Sequence, residues 1–212
     1  MSKVYFMIAV ICIFLLIFLC VADYALFSYK CALIKRALDF AVDAAAMEVT
    51  TSPMDVPGIS TEMRDETQKT PSYTNVRIDS GKSQTAFWNT FESNTGILRG
   101  AAEENAMIVT TCCTNTGIEY SFKKGASAIS GNVDKPEDME SAINSAIASL
   151  FPNPVDKQVI KVNGNIKTTQ FKERPMFMVF LKNWQINGLF TKREATFIAF
   201  KGAKLERPPE QQ

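Results

Sequence analysis

From Val4 to Ala22 the chain reads VYFMIAVICIFLLIFLCVA, nineteen consecutive residues without a charge, a proline or a glycine. As an α-helix rising 1.5 Å per residue, this run is about 28 Å long, close to the ~30 Å hydrocarbon thickness of a bilayer. Charges at mid-bilayer are costly, and the run contains none. Val4, Phe6, Ile11, Phe14, Leu16, Phe18 and Ala22 are therefore expected to belong to a membrane anchor, with the lipid bilayer as the first partner. A cleaved signal peptide is the competing reading. The apolar run exceeds the roughly 7–15 residues usual in such a segment. Only Lys3 supplies a basic flank, and Leu19 to Ala22 matches a small-residue cleavage site loosely.

The helix has no reason to stop at the end of that run. Asp23 to Val49 holds no proline and no glycine and is rich in alanine and leucine. Phe27, Cys31, Ile34, Leu38, Ala41 and Ala45 recur at alternating spacings of four and three, the signature of one helical face. Leu26, Leu33, Phe40, Ala44 and Met47 are expected to widen that face, while Lys35, Asp39 and Asp43 line another. The spacing predicts a single helix to about Val49, roughly 70 Å in all, stopped by Thr50-Thr51-Ser52-Pro53. The seam of Phe27, Ile34, Leu38, Ala41 and Ala45 needs a partner: another helix or the chain's own domain.

The remainder is expected to form a domain of class α+β. Residues 51–72 read as a loop or linker, with Pro53, Pro57, Gly58 and Pro71, and 206–212 as a frayed tail. Between them, 73–205 carries the signs of a mostly antiparallel sheet with about two helices. Strand character is weak over Tyr73–Ile78 and clearer at Ala106–Thr111 and Gly117–Phe122, which suggest a hairpin. Asn163-Gly164-Asn165 is a second hairpin signal, and Met176–Leu181 and Ala195–Phe200 are buried-strand candidates. Ser83–Glu92 predicts a short helix with Phe87, Trp88 and Phe91 on its packing face, ended near Gly96. A second helix, introduced by Asp134-x-x-Glu137, carries Met139, Ile143, Ala146, Ile147 and Leu150 on one side.

Chemistry is sparse. The 212 residues contain no histidine, which removes the commonest general base and the commonest zinc ligand. The 23 basic and 22 acidic side chains leave a net charge of +1, and no basic stripe points to nucleic acid. Cys12 and Cys20 lie in the apolar run, and the adjacent Cys112 and Cys113 have no zinc spacing. They are expected to be thiols on opposite faces of a strand. Ser80-Gly81-Lys82-Ser83 mimics the end of a phosphate-binding loop, but Val76 stands where the first glycine belongs. No catalytic residue, cofactor or metal site is assigned, and an enzyme is not expected.

The order of features carries one resemblance. A short N-terminus, one apolar helix and its continuation LIKRALDFAVDAAAMEV (Leu33 to Val49) are similar to the first fifty or so residues of TadE/TadG-like proteins, pseudopilin-like components of tight-adherence pilus systems. Ala37, Asp39, Ala41, Ala44 and Ala45 match the family's alanine-rich helix. The sequence lacks a glycine followed by a hydrophobic residue and then by glutamate at the fifth position, the pattern that a prepilin peptidase cuts. The resemblance implies a single-pass envelope protein whose N-terminus lies inside and whose domain lies outside the cytoplasm. It also implies a structural role in pilus or secretion-type assembly, with self-association or binding of other envelope proteins through the N-terminal helix. Counted by charge alone, Lys30, Lys35 and Arg36 against Lys3 favour the opposite orientation. The other function class is a membrane-tethered binding or sensing module whose domain captures a ligand or partner.

Overall fold

A computed structural model of the protein describes residues 2–50, 77–114, 117–151 and 175–203. Its fold is α+β. Helix α1 runs from Ser2 to Ala46, 45 residues without a break, or about 68 Å. It ends three residues before the expected Val49, because Val49 and Thr50 leave the helix as a short strand, β1. They pair with Ile78 and Arg77 of β2 (Arg77–Ile78). The Asp79 amide then donates to the Glu48 carbonyl at 2.9 Å, fixing the end of α1 beside the start of the next helix.

That next helix, α2 (Ser80–Thr95), is longer than the expected Ser83–Glu92. Its start lies in Asp79, whose carboxylate accepts the Gly81 and Lys82 amides at 2.9 Å each. Two otherwise orphaned N–H groups are thereby satisfied. Ser80-Gly81-Lys82-Ser83 is thus the capped first turn of a helix rather than a phosphate cradle. Gly96 closes α2 at φ 69°, its N–H bonded to the Glu92 carbonyl, a conformation that needs no Cβ.

A single turn, α3 (Arg99–Ala102), and a 3₁₀ turn lead into the sheet. Its strands are β3 (Ala106–Thr114), β4 (Gly117–Lys124), β5 (Ser127–Val133), β6 (Met176–Asn187) and β7 (Lys192–Gly202). All neighbours are antiparallel, in the order β5-β4-β3-β6-β7. Helix α4 (Asp138–Leu150) connects onward from β5. It starts after the expected Asp134-x-x-Glu137 box, and no side chain caps it. The Tyr73–Ile78 strand is described only at Arg77–Ile78. The Asn163-Gly164-Asn165 turn, the 51–72 linker and the 206–212 tail lie outside the described residues.

Strand alternation divides the interior into two cores. On one face, Ala106, Ile108, Phe177, Val179, Leu181, Phe197 and Ala199 meet α1 and α2. On the other, Met107, Val109, Ile118, Phe122, Met176, Met178 and Phe180 meet Met139, Ile143, Ala146 and Ile147 of α4. The molecule is therefore helices, sheet, helix in three layers, with β3 and β6 buried on both faces. Double burial explains why their sequences are almost continuously apolar. Phe87, Trp88 and Phe91 enter the first core as the helical spacing predicts. Phe87 lies 4.8 Å from Trp88 and 5.9 Å from Phe177, centroid to centroid.

Candidate functional site

Along α1 the surroundings change completely at one residue. Val4, Phe6, Ile11, Phe14, Leu16 and Phe18 all stand exposed, at 54–71% of their full accessible area. Ala22 is half-buried and Asp23 is 3% exposed. The N-terminal half of α1 thus projects bare from the domain, and this one helix is long and apolar enough to cross a membrane.

From Asp23 onward the helix lies on its own domain. Ile34, Leu38, Ala41 and Ala45 are buried in the first core, and Phe27 and Cys31 pack against its edge. Of the two partners open to that seam, the domain is the one seated on it here. Alanines at Ala37, Ala41 and Ala45 let the helix backbone approach the sheet and α2 closely, since a methyl group is all that stands between them. The expected widening of the face fails at three positions. Leu33 (44%), Phe40 (63%) and Met47 (55%) are exposed, because at about 100° per residue they lie roughly 110–150° around the helix from the row of Ile34, Leu38, Ala41 and Ala45. The polar face is docked in part as well. Lys35 pairs with Asp39 and donates to the Ile198 carbonyl at 2.8 Å, and Asp43 pairs with Lys201 at 2.8 Å.

The polar tethers form a ladder along α1. Nearest the bare half, Asp23 accepts the Phe190 amide at 2.9 Å, the Thr191 amide at 3.4 Å and the Thr191 hydroxyl. Arg193 reaches the same carboxylate at 3.5 Å and lies 5.6 Å from the Tyr24 ring and 5.3 Å from that of Phe27. Lys30 donates to the Asn187 carbonyl at 2.7 Å. The β6–β7 turn, residues 188–191, therefore sits against the first turn after the apolar run. Gly188 leaves room for this clasp: a Cβ there would collide with the Asp23 carboxylate and displace it.

The reach of this hairpin follows from register. β3 pairs with β6 only as far as Leu181, yet β6 and β7 stay paired to Asn187 and Lys192. From Lys182 to Asn187 the hairpin overhangs the rest of the sheet by roughly 20 Å, beyond a bulge between Leu181 and Trp184 where Asn183 takes φ 51°. α1 is the support beneath that overhang. Beside it, Lys30, Leu33, Asn94, Ile97 and Trp184 border a groove of about 370 Å³.

Elsewhere, polar groups are engaged structurally. Glu103 holds Arg99 at 2.9 Å, and that guanidinium keeps the Glu103 carboxyl below its ordinary range. Cys112 and Cys113 are buried, and desolvation raises both thiols, Cys113 to about 11. Among the described residues, no three histidine, cysteine, aspartate or glutamate side chains gather as a metal site would require. The sequence pointed to the bare apolar run and the buried seam of α1 but not to the clasp at Asp23. An acid directly after an apolar run, with two apolar residues in a turn followed by Lys192 and Arg193, was the available signal. Comparison with family models, characterised proteins and solved structures finds no match to this chain.

Proposed function

We propose that the protein is a non-enzymatic, single-pass envelope subunit of pilin-like, TadE/TadG-like type. Its apolar half-helix inserts in the bilayer or among like helices, and the domain is carried outside the cytoplasm as part of a pilus or secretion-type assembly. The observation that supports this reading is the division of α1 into a bare apolar half and a half docked on an antiparallel sheet. The docked half keeps a second apolar row, Tyr29, Leu33 and Phe40, on its outer side. With Ile34, Leu38, Ala41 and Ala45 occupied internally, that outer row is the surface left for packing against a like helix.

The test is assembly in membranes. Phe40→Arg should abolish oligomers that the wild-type chain forms, because it places a charge in an apolar helix contact, while leaving the exposed position free of folding cost. Single cysteines at Leu33 and Phe40, in a chain cleared of native cysteines, should cross-link between copies. A wild-type chain that stays monomeric at native abundance would instead favour the tethered binding module. The docked seam and the groove beside Lys30 and Trp184 suit that second reading.

A further inference from the structure

We propose that the β6–β7 turn is a second, shallow membrane contact: Leu189 and Phe190 insert into the interfacial layer of the same bilayer that α1 spans. The inference rests on the anchoring role of α1 and adds a lipid-binding surface to the domain. Four observations carry it.

Leu189 and Phe190 are the apolar tip of the overhanging hairpin and are 53% and 71% exposed. Their backbone is fixed to Asp23, the first residue after the apolar run, with the Phe190 amide 2.9 Å from its carboxylate. Helical side chains tilt toward the N-terminus, so the Asp23 carboxylate leans back along the last turn of the span and holds the tip at that level. The strand direction agrees. β7 is tethered to α1 through Arg193, Ile198 and Lys201 at Asp23, Lys35 and Asp43 in turn. Helix and strand therefore run side by side, covering about 30 Å and about 26 Å respectively between the outer tethers.

The chemistry of the rim fits a headgroup layer. Tyr24 and Tyr29 are exposed at 60% and 62% just beyond the span, where amphipathic aromatics are favoured. Arg193 is paired with Asp23, and Lys30 and Lys192 leave positive charge beside the tip, suited to anionic lipid. Exposed leucine and phenylalanine side by side on a two-residue apex have no structural use in water. At an interface they remove apolar area from it. The domain would then stand on the membrane at two points, α1 and the hairpin, rather than swing on α1 alone.

The wild-type chain, reconstituted in phosphatidylcholine vesicles containing a minor fraction of phosphatidylglycerol, supplies the test. A phospholipid carrying a photoreactive diazirine on a shallow acyl carbon is activated, and adducts are mapped by mass spectrometry. Adducts should appear on Leu189 and Phe190 as well as within Val4–Ala22, and be lost at Lys135, at the far end of the sheet. Labelling of Val4–Ala22 with none at Leu189 and Phe190 overturns the proposal and leaves the anchor intact. Absence of adducts at both places overturns the anchor and the proposal together. As a second measurement, Asp23→Ala should uncouple the turn, cutting adduct yield at Leu189 and Phe190 severalfold while labelling of the span persists. Unchanged yield in that variant would mean that the clasp does not set the tip's depth.

Discussion

Asp79 and Asp23 do comparable work at two ends of the domain: each carboxylate gathers backbone N–H groups that would otherwise lack partners. Asp79 stabilises the start of α2. Its hydrogen bonds to the Lys82 and Gly81 amides hold its carboxyl below the ordinary value of 3.8. The sign follows by linkage. A group with a depressed folded-state pKa contributes stability that is fully present above its unfolded value and is lost as pH falls through the folded value. The first turn of α2 should therefore keep its amide protection from neutral pH down to about pH 4 and lose it progressively below that. In Asp79→Ala the protection of the Gly81 and Lys82 amides should be reduced already at neutral pH, with no further acid step at this turn. Hydrogen exchange read residue by residue checks both. An equal acid response in the wild type and the variant would assign the effect to other carboxylates. The same residue shows how local chemistry misleads a sequence reading: glycine, lysine and serine after Asp79 look like a phosphate loop, yet their amides already have an acceptor.

At the scale of elements, α1 illustrates why periodicity names a face but not its occupant. The four-and-three spacing of Ile34, Leu38, Ala41 and Ala45 identified the buried row, and Phe87, Trp88 and Phe91 were equally legible as core. Leu33, Phe40 and Met47 were not, since apolar residues on both sides of a helix leave the choice of face to tertiary contacts. β5 went unseen for a related reason. Ser127–Val133 is a half-exposed edge strand without large apolar alternation, and its Gly131 faces the Tyr120 ring on β4. The hairpin overhang depends on where β3 stops, which local pattern does not encode. The division of α1 makes opposite predictions for its two faces. Ala41→Trp or Ala45→Trp forces a large ring between the helix and the sheet, where both alanines are fully buried. Each should destabilise the domain by about 1–3 kcal/mol or more, seen as a lower denaturant midpoint, while Phe40→Trp on the exposed side should leave the midpoint within about 0.5 kcal/mol of wild type. Equal midpoints for Ala41→Trp and Phe40→Trp would mean that the docked face is not packed as described.

At the scale of the molecule, the proposed anchoring through α1 raises the question of which side of a membrane the domain occupies, and the charges near the apolar run give a divided answer. Lys30, Lys35 and Arg36 follow the apolar run and only Lys3 precedes it, which by the distribution of basic residues would hold the domain in the cytoplasm. Two of those three cations have structural work: Lys30 bonds the Asn187 carbonyl, and Lys35 bonds Asp39 and the Ile198 carbonyl. Their presence is then explained by the docking of α1 whatever the orientation, and the charge count loses force as an argument about topology. The pilin-like reading requires the domain outside. Lys135→Cys provides the measurement, since this exposed position lies at the end of the sheet farthest from the span. Native thiols do not compete strongly from the domain, because Cys112 and Cys113 are buried, Cys31 is half-buried, and desolvation disfavours all three thiolates. In intact cells, a membrane-impermeant thiol reagent should label Lys135→Cys above the wild-type background, to the same extent as after lysis. Labelling that appears only on lysis would place the domain in the cytoplasm. The structural role in an external assembly would fall with it, whereas α1 and the β6–β7 turn could still contact the inner leaflet, where anionic headgroups would meet Lys30 and Lys192.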